Sequence, residues 1–203
     1  MKATSSVQYF WTILKISAII FMLSPKVIMA QNTYKIASEK SNVVKVLGSS
    51  NVHDWTMVAK DVEGTGVFKF NNSNDLVDLL SLKFTVVAKS LKSEKTSMDE
   101  RTYKSLKADQ FPKISYNLNV ATVTTLQPNK YAIQATGTLT IAGKTQNISM
   151  KVMATVNADR TISIHGSEKL KLTDYGIEPP SFMLGAMKVG NDLVIQFDLN
   201  YNK

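Results

Sequence analysis

The sequence predicts an all-β protein, an antiparallel barrel or sandwich of about eight strands with one short helix. Most of the chain alternates apolar and polar residues, which is the pattern of strands with one buried face. The strands are joined by short polar turns, and only the stretch 97–116 has helical spacing followed by a return to strand. Because no amphipathic helices separate the strands, the α/β class is disfavoured.

The N-terminal segment has the features of a secretory signal peptide. Lys2 gives a positive start, the run 13–23 is nearly all apolar, and Ile28-Met29-Ala30 fits a cleavage site. We therefore expect a leader at 1–30, a domain at 31–203 that begins at about Gln31, and a periplasmic or secreted location. An uncleaved membrane anchor is the alternative, but the apolar run is shorter than the roughly twenty residues that a membrane span needs.

Composition narrows the classes of function. The chain contains no cysteine, which excludes disulfides, thiolate catalysis and cysteine-based zinc sites. The formal net charge is +8, and loss of Lys2, Lys15 and Lys26 with the leader would leave +5. The remaining basic residues are scattered, which is typical of a solvated surface and not of a nucleic-acid site. Transient contact with an anionic membrane surface stays open.

The predicted strands follow one another with one alternating pattern each. The long run 76–88 places Leu80, Leu82, Phe84 and Val86 on one face, and Gly137 is a candidate bulge in a later strand. A domain of this size is large enough to fold around a single core. The predicted strands are 34–37, 43–49, 67–70, 76–88, 114–120, 131–141, 148–156, 161–172 and 193–201.

The stretch 97–116 predicts a short helix that lies across one end of the barrel as a lid. Ser97 and Glu100 have the spacing of a capping box, and Pro112 forces the chain back to strand. Asp99 falls near the apolar side of the first turn, so we expect it to be partly buried and paired. The apolar side of the helix consists of Met98, Tyr103 and Leu106.

Three runs of sequence resemble motifs of the YceI-like family of secreted lipid-binding proteins. The run FPKISY at 111–116 resembles the family's strand entry, aromatic-Pro-x-Ile-x-aromatic. The run GTLTIAGKT at 137–145 resembles its hairpin, G-x-L-T-I-x-G-x-T. The run LTDYGI at 172–177, with VGNDL at 189–193, resembles its closing segment.

The resemblance implies an eight-stranded, lipocalin-like antiparallel barrel. It also implies a long apolar cavity that holds a polyisoprenoid chain, such as a quinone or a prenyl phosphate, in the periplasm. Two regions depart from the family pattern: Met98-Asp99-Glu100-Arg101 replaces the frequent R-D-x-H-L run, and the loop 178–187 is longer and richer in methionine. These departures concern the identity of the ligand more than the fold.

The candidate ligand-binding residues are large apolar or aromatic side chains on inward faces, on the helix and in the loop 178–187. Methionine adapts to irregular apolar shapes, so this loop suits the mouth of a chain-binding cavity, but a plug for one end of the barrel is the favoured alternative. The candidates are Phe84, Val86, Tyr103, Tyr116, Leu118, Ile133, Met150, Val152, Phe182, Met183, Met187 and Phe197.

The candidate contacts for a lipid head group are His53, Trp55 and Arg101. His53-Asp54 could also serve acid–base chemistry or form a structural pair. His165 falls on a polar face, where we expect it to be exposed. The sequence contains no nucleophile elbow, P-loop, dinucleotide-binding or metalloprotease motif. We therefore expect no catalytic residues, no metal ligands and no cofactor.

The leading hypothesis is a non-catalytic protein that binds, stores or transports an isoprenoid lipid. Two alternatives stay open: a small exported hydrolase or isomerase that uses His53 and Asp54, and a structural, stress-related barrel whose core is filled. A barrel of eight strands can hold one small ligand or fill itself with side chains, so the pattern alone does not decide. The pattern also leaves the oligomeric state open.

Overall fold

A computed structural model describes residues 31–37 and 41–203, and the predicted leader lies outside the described residues. One α-helix, α1 (Thr96–Ser105), and two 3-10 helices, Ala88–Ser90 and Leu172–Tyr175, interrupt the strands. The strands are β1 (Gln31–Ile36), β2 (Val43–Ser50), β3 (Trp55–Ala59), β4 (Val62–Phe70), β5 (Leu76–Val87), β6 (Lys113–Gln127), β7 (Lys130–Ile141), β8 (Lys144–Val156), β9 (Ile162–Lys171), β10 (Ser181–Phe182) and β11 (Met187–Asn202).

Eight of these strands form a closed antiparallel ring in the order β1-β4-β5-β6-β7-β8-β9-β11. The ring closes where Lys35 and Ile36 of β1 pair with Asn202 and Tyr201 of β11. Strand β2 pairs with the preceding part of β11, and β3 pairs with β2. The expected all-β, eight-stranded antiparallel barrel with one short helix is confirmed. Strands β3 and β10 were not expected, and both are short.

A one-residue bulge at Leu80 changes which side chains of β5 face inward. Ser81 and Leu79 pair with consecutive residues of β4, so Leu80 is the extra residue between them. Leu80 is therefore exposed, whereas Leu79 is buried. The expectation that Leu80 shares the inner face with the later apolar residues of this strand is wrong, because the bulge reverses the alternation at that point.

The bulge expected at Gly137 lies on the neighbouring strand instead. Asn119 of β6 is the extra residue, and β7 pairs opposite it without a break. Gly137 is required for a different reason, because a Cβ at this position would lie 2.3 Å from the carbonyl oxygen of Asn117 and 2.6 Å from the hydroxyl of Tyr116. The glycine thus lets the side chain of Tyr116 lie flat across β7.

The core fills the end of the barrel where the ring closes. Tyr34, Phe68 and Tyr201, from β1, β4 and β11, are all buried. Their rings pack edge to face, with centroids 5.3 Å apart for Tyr34 and Phe68 and 5.9 Å apart for Phe68 and Tyr201. This aromatic cluster packs inside the seam of the barrel, and the larger free space lies toward the opposite end.

Helix α1 covers that opposite end, but it does not begin with the expected capping box. Its N-cap is Lys95, and no side-chain hydrogen bond caps it. Asp99 instead ties the first turn of the helix to the preceding loop, because its Oδ1 accepts hydrogen bonds of 2.7 Å from both the backbone N–H and the Oγ of Ser93. The ammonium of Lys92 lies 3.7 Å from the other carboxylate oxygen. The expectation that Asp99 is buried and paired is therefore confirmed.

The helix is fixed to the barrel by two further contacts. The hydroxyl of Tyr103 donates a hydrogen bond of 2.8 Å to the carbonyl of Leu91, and the Oγ1 of Thr102 lies 3.2 Å from the sulfur of Met57. Leu106 is buried beneath the end of the helix. Within the described part of the chain, no helix has the length and apolar character needed to cross a bilayer.

Replacing Asp99 by Asn should destabilise the protein in a pH-dependent way. Burial opposes ionisation of Asp99, but the hydrogen bonds from Ser93 and the charge of Lys92 outweigh it and lower the pKa of the carboxyl below its ordinary value of 3.8. The ionised carboxylate therefore contributes stability above about pH 4, and this contribution is lost as the pH falls through the lower, folded-state pKa. We expect a loss of about 1–2 kcal/mol at pH 7.

Urea denaturation of the wild type and of Asp99→Asn at several pH values would measure the difference in their free energies of unfolding. This difference should vanish at strongly acidic pH. The matched control is Asp109→Asn, because Asp109 is paired with Lys89 at 2.6 Å but is almost fully exposed. Such a surface pair should contribute no more than about 0.5 kcal/mol. Equal losses for the two variants would contradict the assigned role of Asp99.

Candidate functional site

A cavity of about 350 Å³ opens at the end of the barrel that α1 covers. We call it the outer cavity. Its wall combines side chains of β2 and β3, of α1, of the last residues of β9, and of β11 with the segment before it. Most of this wall is apolar, and it includes Val46, Met57, Met98, Leu106 and Ile195.

The three candidate head-group contacts all line the outer cavity. His53 and Trp55 come from the turn into β3, and Arg101 comes from α1. The indole N–H of Trp55 donates a hydrogen bond of 3.1 Å to the carbonyl of Ser49. Its ring lies over Gly48, where a Cβ would come within 2.2 Å of a ring carbon. The backbone thus fixes the indole at the wall of the cavity.

The side chains of His53 and Asp54 are not joined to each other. Both side chains are exposed, and no hydrogen bond or ion pair joins them within the described residues. His165 is exposed as expected, and its Nδ1 pairs with the carboxylate of Asp198 on the outer surface of the barrel. No three His, Asp or Glu side chains of residues 31–37 and 41–203 are grouped so that they could share a metal ion.

The segment 181–188, which we call the mouth hairpin, forms one side of the opening. Phe182 and Met187 line the outer cavity, whereas Met183 is 75% exposed and does not. Met183 and Leu184 have φ values of 55° and 57°, so the chain turns sharply at the tip of the hairpin. The loop therefore contributes its base to the cavity wall and leaves its apolar tip in solvent.

Two contacts hold the mouth hairpin in place. The guanidinium of Arg101 lies 4.2 Å from the centroid of the Phe182 ring, which joins the hairpin to α1 by a cation–π contact. The amide of Asn51 donates to the carbonyl of Ala186 at 2.8 Å and accepts from the N–H of Lys188 at 2.7 Å. The hairpin, the helix and the β2–β3 turn therefore surround the opening together.

A second cavity of about 110 Å³ lies deeper in the barrel. We call it the inner cavity. Leu170 and Ile195 line both cavities, so the two cavities share this part of the barrel wall. Six of the candidate ligand-binding residues line the inner cavity: Phe84, Tyr116, Leu118, Met150, Val152 and Phe197.

Four candidate residues are placed outside both cavities. Val86 and Ile133 are buried, but neither lines a cavity. Tyr103 uses its hydroxyl on Leu91, and its ring centroid lies 5.2 Å from the ammonium of Lys92, so it anchors the helix. Met183 lies at the exposed tip of the mouth hairpin.

Sequence reasoning missed two polar side chains of the interior, Glu168 and Tyr175. Glu168 lines the inner cavity, and Tyr175, from the second 3-10 helix, lines the outer one. Burial raises the pKa of the Glu168 carboxyl above its ordinary value. The alternation of β9 contained the signal, because Glu168 falls in phase with the buried residues Ile162, Ile164 and Leu170.

The contact between Arg101 and Phe182 should couple the helix to the mouth hairpin energetically. In a double-mutant cycle of Arg101→Gln and Phe182→Leu, we expect a coupling energy of about 0.5–1 kcal/mol, measured by chemical denaturation at low ionic strength. The control cycle pairs Lys104→Gln with Phe182→Leu, since Lys104 is an exposed cation of the same helix. Strict additivity in both cycles would show that the cation–π contact does not join the two elements.

Comparisons with solved structures find the same fold. Burkholderia cenocepacia BcnA is 19% identical over 81% of this chain and 98% of its own, with a TM-score of 0.63. A polyisoprenoid binding domain from Saccharophagus degradans is 11% identical over 85% of this chain and 99% of its own, also with a TM-score of 0.63. A Campylobacter jejuni YceI protein is 19% identical over 71% of this chain and 83% of its own, with a TM-score of 0.53.

Comparison with curated protein sequences gave no match. The sequence model of the YceI-like domain matches residues 34–201, a range that contains all three motifs that resemble this family. It also contains every strand of the ring except the first residues of β1 and the last residue of β11. Since this match spans most of the chain, the protein belongs to the YceI-like domain family.

Proposed function

We propose that this protein binds an isoprenoid lipid inside the barrel and acts as its carrier or store, without catalysing a reaction. The observation that carries the proposal is the pair of adjacent, mostly apolar cavities, of about 350 and 110 Å³, that share wall residues inside a closed barrel. Apolar pockets with a few converging polar groups are the usual form of small-molecule sites. The similarity to the Saccharophagus degradans polyisoprenoid binding domain supports the same ligand class.

The polar groups of the cavities decide selectivity more than the apolar wall does. Each buried CH₂ contributes about 0.8 kcal/mol relative to water. An isoprenoid lipid, however, starts in a membrane whose tails are as apolar as leucine, so its transfer into the barrel gains little. The length of the cavity and the groups at its mouth must therefore distinguish one lipid from another. His53, Trp55 and Arg101 are the proposed head-group contacts at the mouth.

The two alternative functions receive less support from the geometry. A barrel with a filled core would have no internal free space, whereas here two cavities lie side by side and share Leu170 and Ile195 in their walls. A hydrolase or isomerase would need His53 to be oriented by a partner, but its side chain is not joined to that of Asp54. The outer cavity therefore favours binding over chemistry.

Export and membrane contact complete the proposal. The leader-like segment 1–30 would direct the chain to the periplasm or the exterior.

Val52, Met183 and Leu184 are large, exposed apolar side chains on the two loops that Asn51 joins beside the mouth. Such a tip could enter the headgroup layer while nearby cations meet anionic lipid. A lipid could then pass between bilayer and cavity without crossing water.

Lipid binding can be tested with a short-chain isoprenoid quinone and the intrinsic fluorescence of Trp55, the only tryptophan of residues 31–203. Because its ring lines the outer cavity, quinone binding should quench it saturably. Val46→Phe places a larger side chain in the cavity wall and should weaken binding about tenfold. Val120→Phe is the matched control, because Val120 is exposed on β6.

Solvent extraction and mass spectrometry of the purified protein would identify any lipid that it carries. No extracted isoprenoid, together with no saturable quenching, would refute the proposed function. Equal weakening by Val46→Phe and Val120→Phe would instead show that the quinone binds outside the barrel. Thermal unfolding of each variant checks that the fold is intact.

Membrane contact through the mouth hairpin predicts that Leu184→Asp reduces binding to vesicles of phosphatidylethanolamine and phosphatidylglycerol. The substitution places a charge where an apolar side chain would enter the bilayer, so co-sedimentation should fall severalfold. Leu126→Asp is the control, since Leu126 is an exposed apolar residue near the far end of β6. Equal co-sedimentation of wild type and Leu184→Asp would contradict this orientation.

A further inference from the structure

The inner face of β9 carries one charged residue, Glu168, at the junction where the two cavities share their wall. Its neighbours on this face are Ile164, Gly166 and Leu170, of which Ile164 and Leu170 are buried. Glu168 pairs in register with Ile195 of β11. Since Leu170 and Ile195 line both cavities and Glu168 lines the inner one, the carboxyl group lies beside the junction.

Two buried tyrosines line the cavities on either side of the wall that Leu170 and Ile195 form. Tyr116 is 6% exposed and lines the inner cavity, and Tyr175 is 3% exposed and lines the outer cavity. Neither hydroxyl makes a hydrogen bond with any residue that the structure describes. Burial raises the pKa of Tyr116 to about 12, and the charge of Glu168 contributes to the rise. Burial, Asp174 and Glu168 raise the pKa of Tyr175 to about 12.

These three groups offer a set of hydrogen bonds that the protein itself does not complete. A buried hydroxyl without a partner costs free energy, and a bound group that supplies the partner recovers it. Each tyrosine can donate to an oxygen atom, and the carboxylate of Glu168 can accept from an O–H group. A hydroxyl group on a ligand satisfies both the tyrosine donors and the carboxylate acceptor, because it donates one hydrogen bond and accepts others.

The junction and the mouth differ in the sign of their charged side chains. Among the described residues that line the inner cavity, Glu168 is the only charged one. The outer cavity has three cationic side chains in its wall, Lys95, Arg101 and Lys171. A phosphate would therefore be attracted to the outer wall and repelled by the carboxylate at the junction. An uncharged head group would not meet this barrier.

We propose that Tyr116, Tyr175 and Glu168 form an internal site for an uncharged, hydroxyl-bearing head group, such as that of a prenyl alcohol. A lipid of this class enters the barrel head first and hydrogen-bonds at the junction, whereas a prenyl phosphate keeps its head group at the mouth. This inference rests on the proposed function, because it requires that isoprenoid chains enter the cavities.

The test compares three ligands with the same chain: farnesol, farnesyl phosphate and the hydrocarbon farnesene. Their affinities for the mature protein are measured by calorimetry. Tyr116→Phe and Tyr175→Phe should each weaken farnesol binding about 3- to 10-fold, which is the effect of one hydrogen bond, and leave farnesene binding unchanged. Glu168→Gln removes the charge and should shrink the preference for farnesol over farnesyl phosphate by a similar factor.

Tyr131→Phe is the matched control. Its hydroxyl is also buried without a hydrogen-bond partner among the described residues, but Tyr131 lines neither cavity. This variant should bind all three ligands like the wild type. Each Tyr→Phe change removes only an unsatisfied hydroxyl, so the variants should fold, and thermal unfolding verifies this.

The possible failures are distinguishable. If the wild type binds the three ligands but Tyr116→Phe, Tyr175→Phe and Glu168→Gln change all affinities alike, the internal site is refuted and lipid binding stands. The same conclusion follows if Tyr131→Phe weakens farnesol as much as the other two tyrosine variants do. If the wild type binds none of the three ligands, the proposed function is refuted, and the internal site with it.

Discussion

The pairing of β1 with β11 is the constraint on which the rest of this structure depends. Among the described residues, two pairs close the ring, Lys35 with Asn202 and Ile36 with Tyr201. The aromatic cluster of Tyr34, Phe68 and Tyr201 lies directly inside this seam and makes up for its shortness. Closure pairs every ring strand with a neighbour on each side and gives it an inner face. The inner faces of the opposite half then enclose space instead of packing on one another.

Within the described residues, the barrel has a packed end and an open end. Large aromatic residues fill the seam, whereas mixed aliphatic, methionine and aromatic side chains surround the two cavities. At the open end, α1 is fixed through Asp99 and Tyr103, and the mouth hairpin is fixed through Asn51 and Arg101. Side-chain contacts between separate elements thus fix the boundary of the opening. This arrangement suits a protein whose ligand must enter and leave.

The sequence predicted the elements whose pattern is local and failed where geometry depends on a partner. Strand β7 alternates regularly and was predicted to within one residue of its observed bounds, and β8 was predicted with its observed end but with its start four residues late. The bulge at Leu80 depends on the register with β4, which no pattern within β5 reveals. Similarly, Ser97 and Glu100 had the spacing of a capping box, but the loop before α1 brings Ser93 to Asp99 instead. The contact of Arg101 with Phe182 joins residues far apart in the chain and was equally hidden.

The site was predicted in part for the same reason. The alternation of apolar residues along the strands correctly placed six candidates around the inner cavity. It could not show that Val86 and Ile133, which also face inward, are buried without lining a cavity. Glu168 was in the inward phase of β9, where a charged residue in an apolar series is a signal of function. The central claim, that the barrel carries an isoprenoid lipid, is tested most directly by native mass spectrometry of the protein isolated from its own cells. The account predicts a bound species with the mass of an isoprenoid lipid, and a population of entirely lipid-free protein would contradict it.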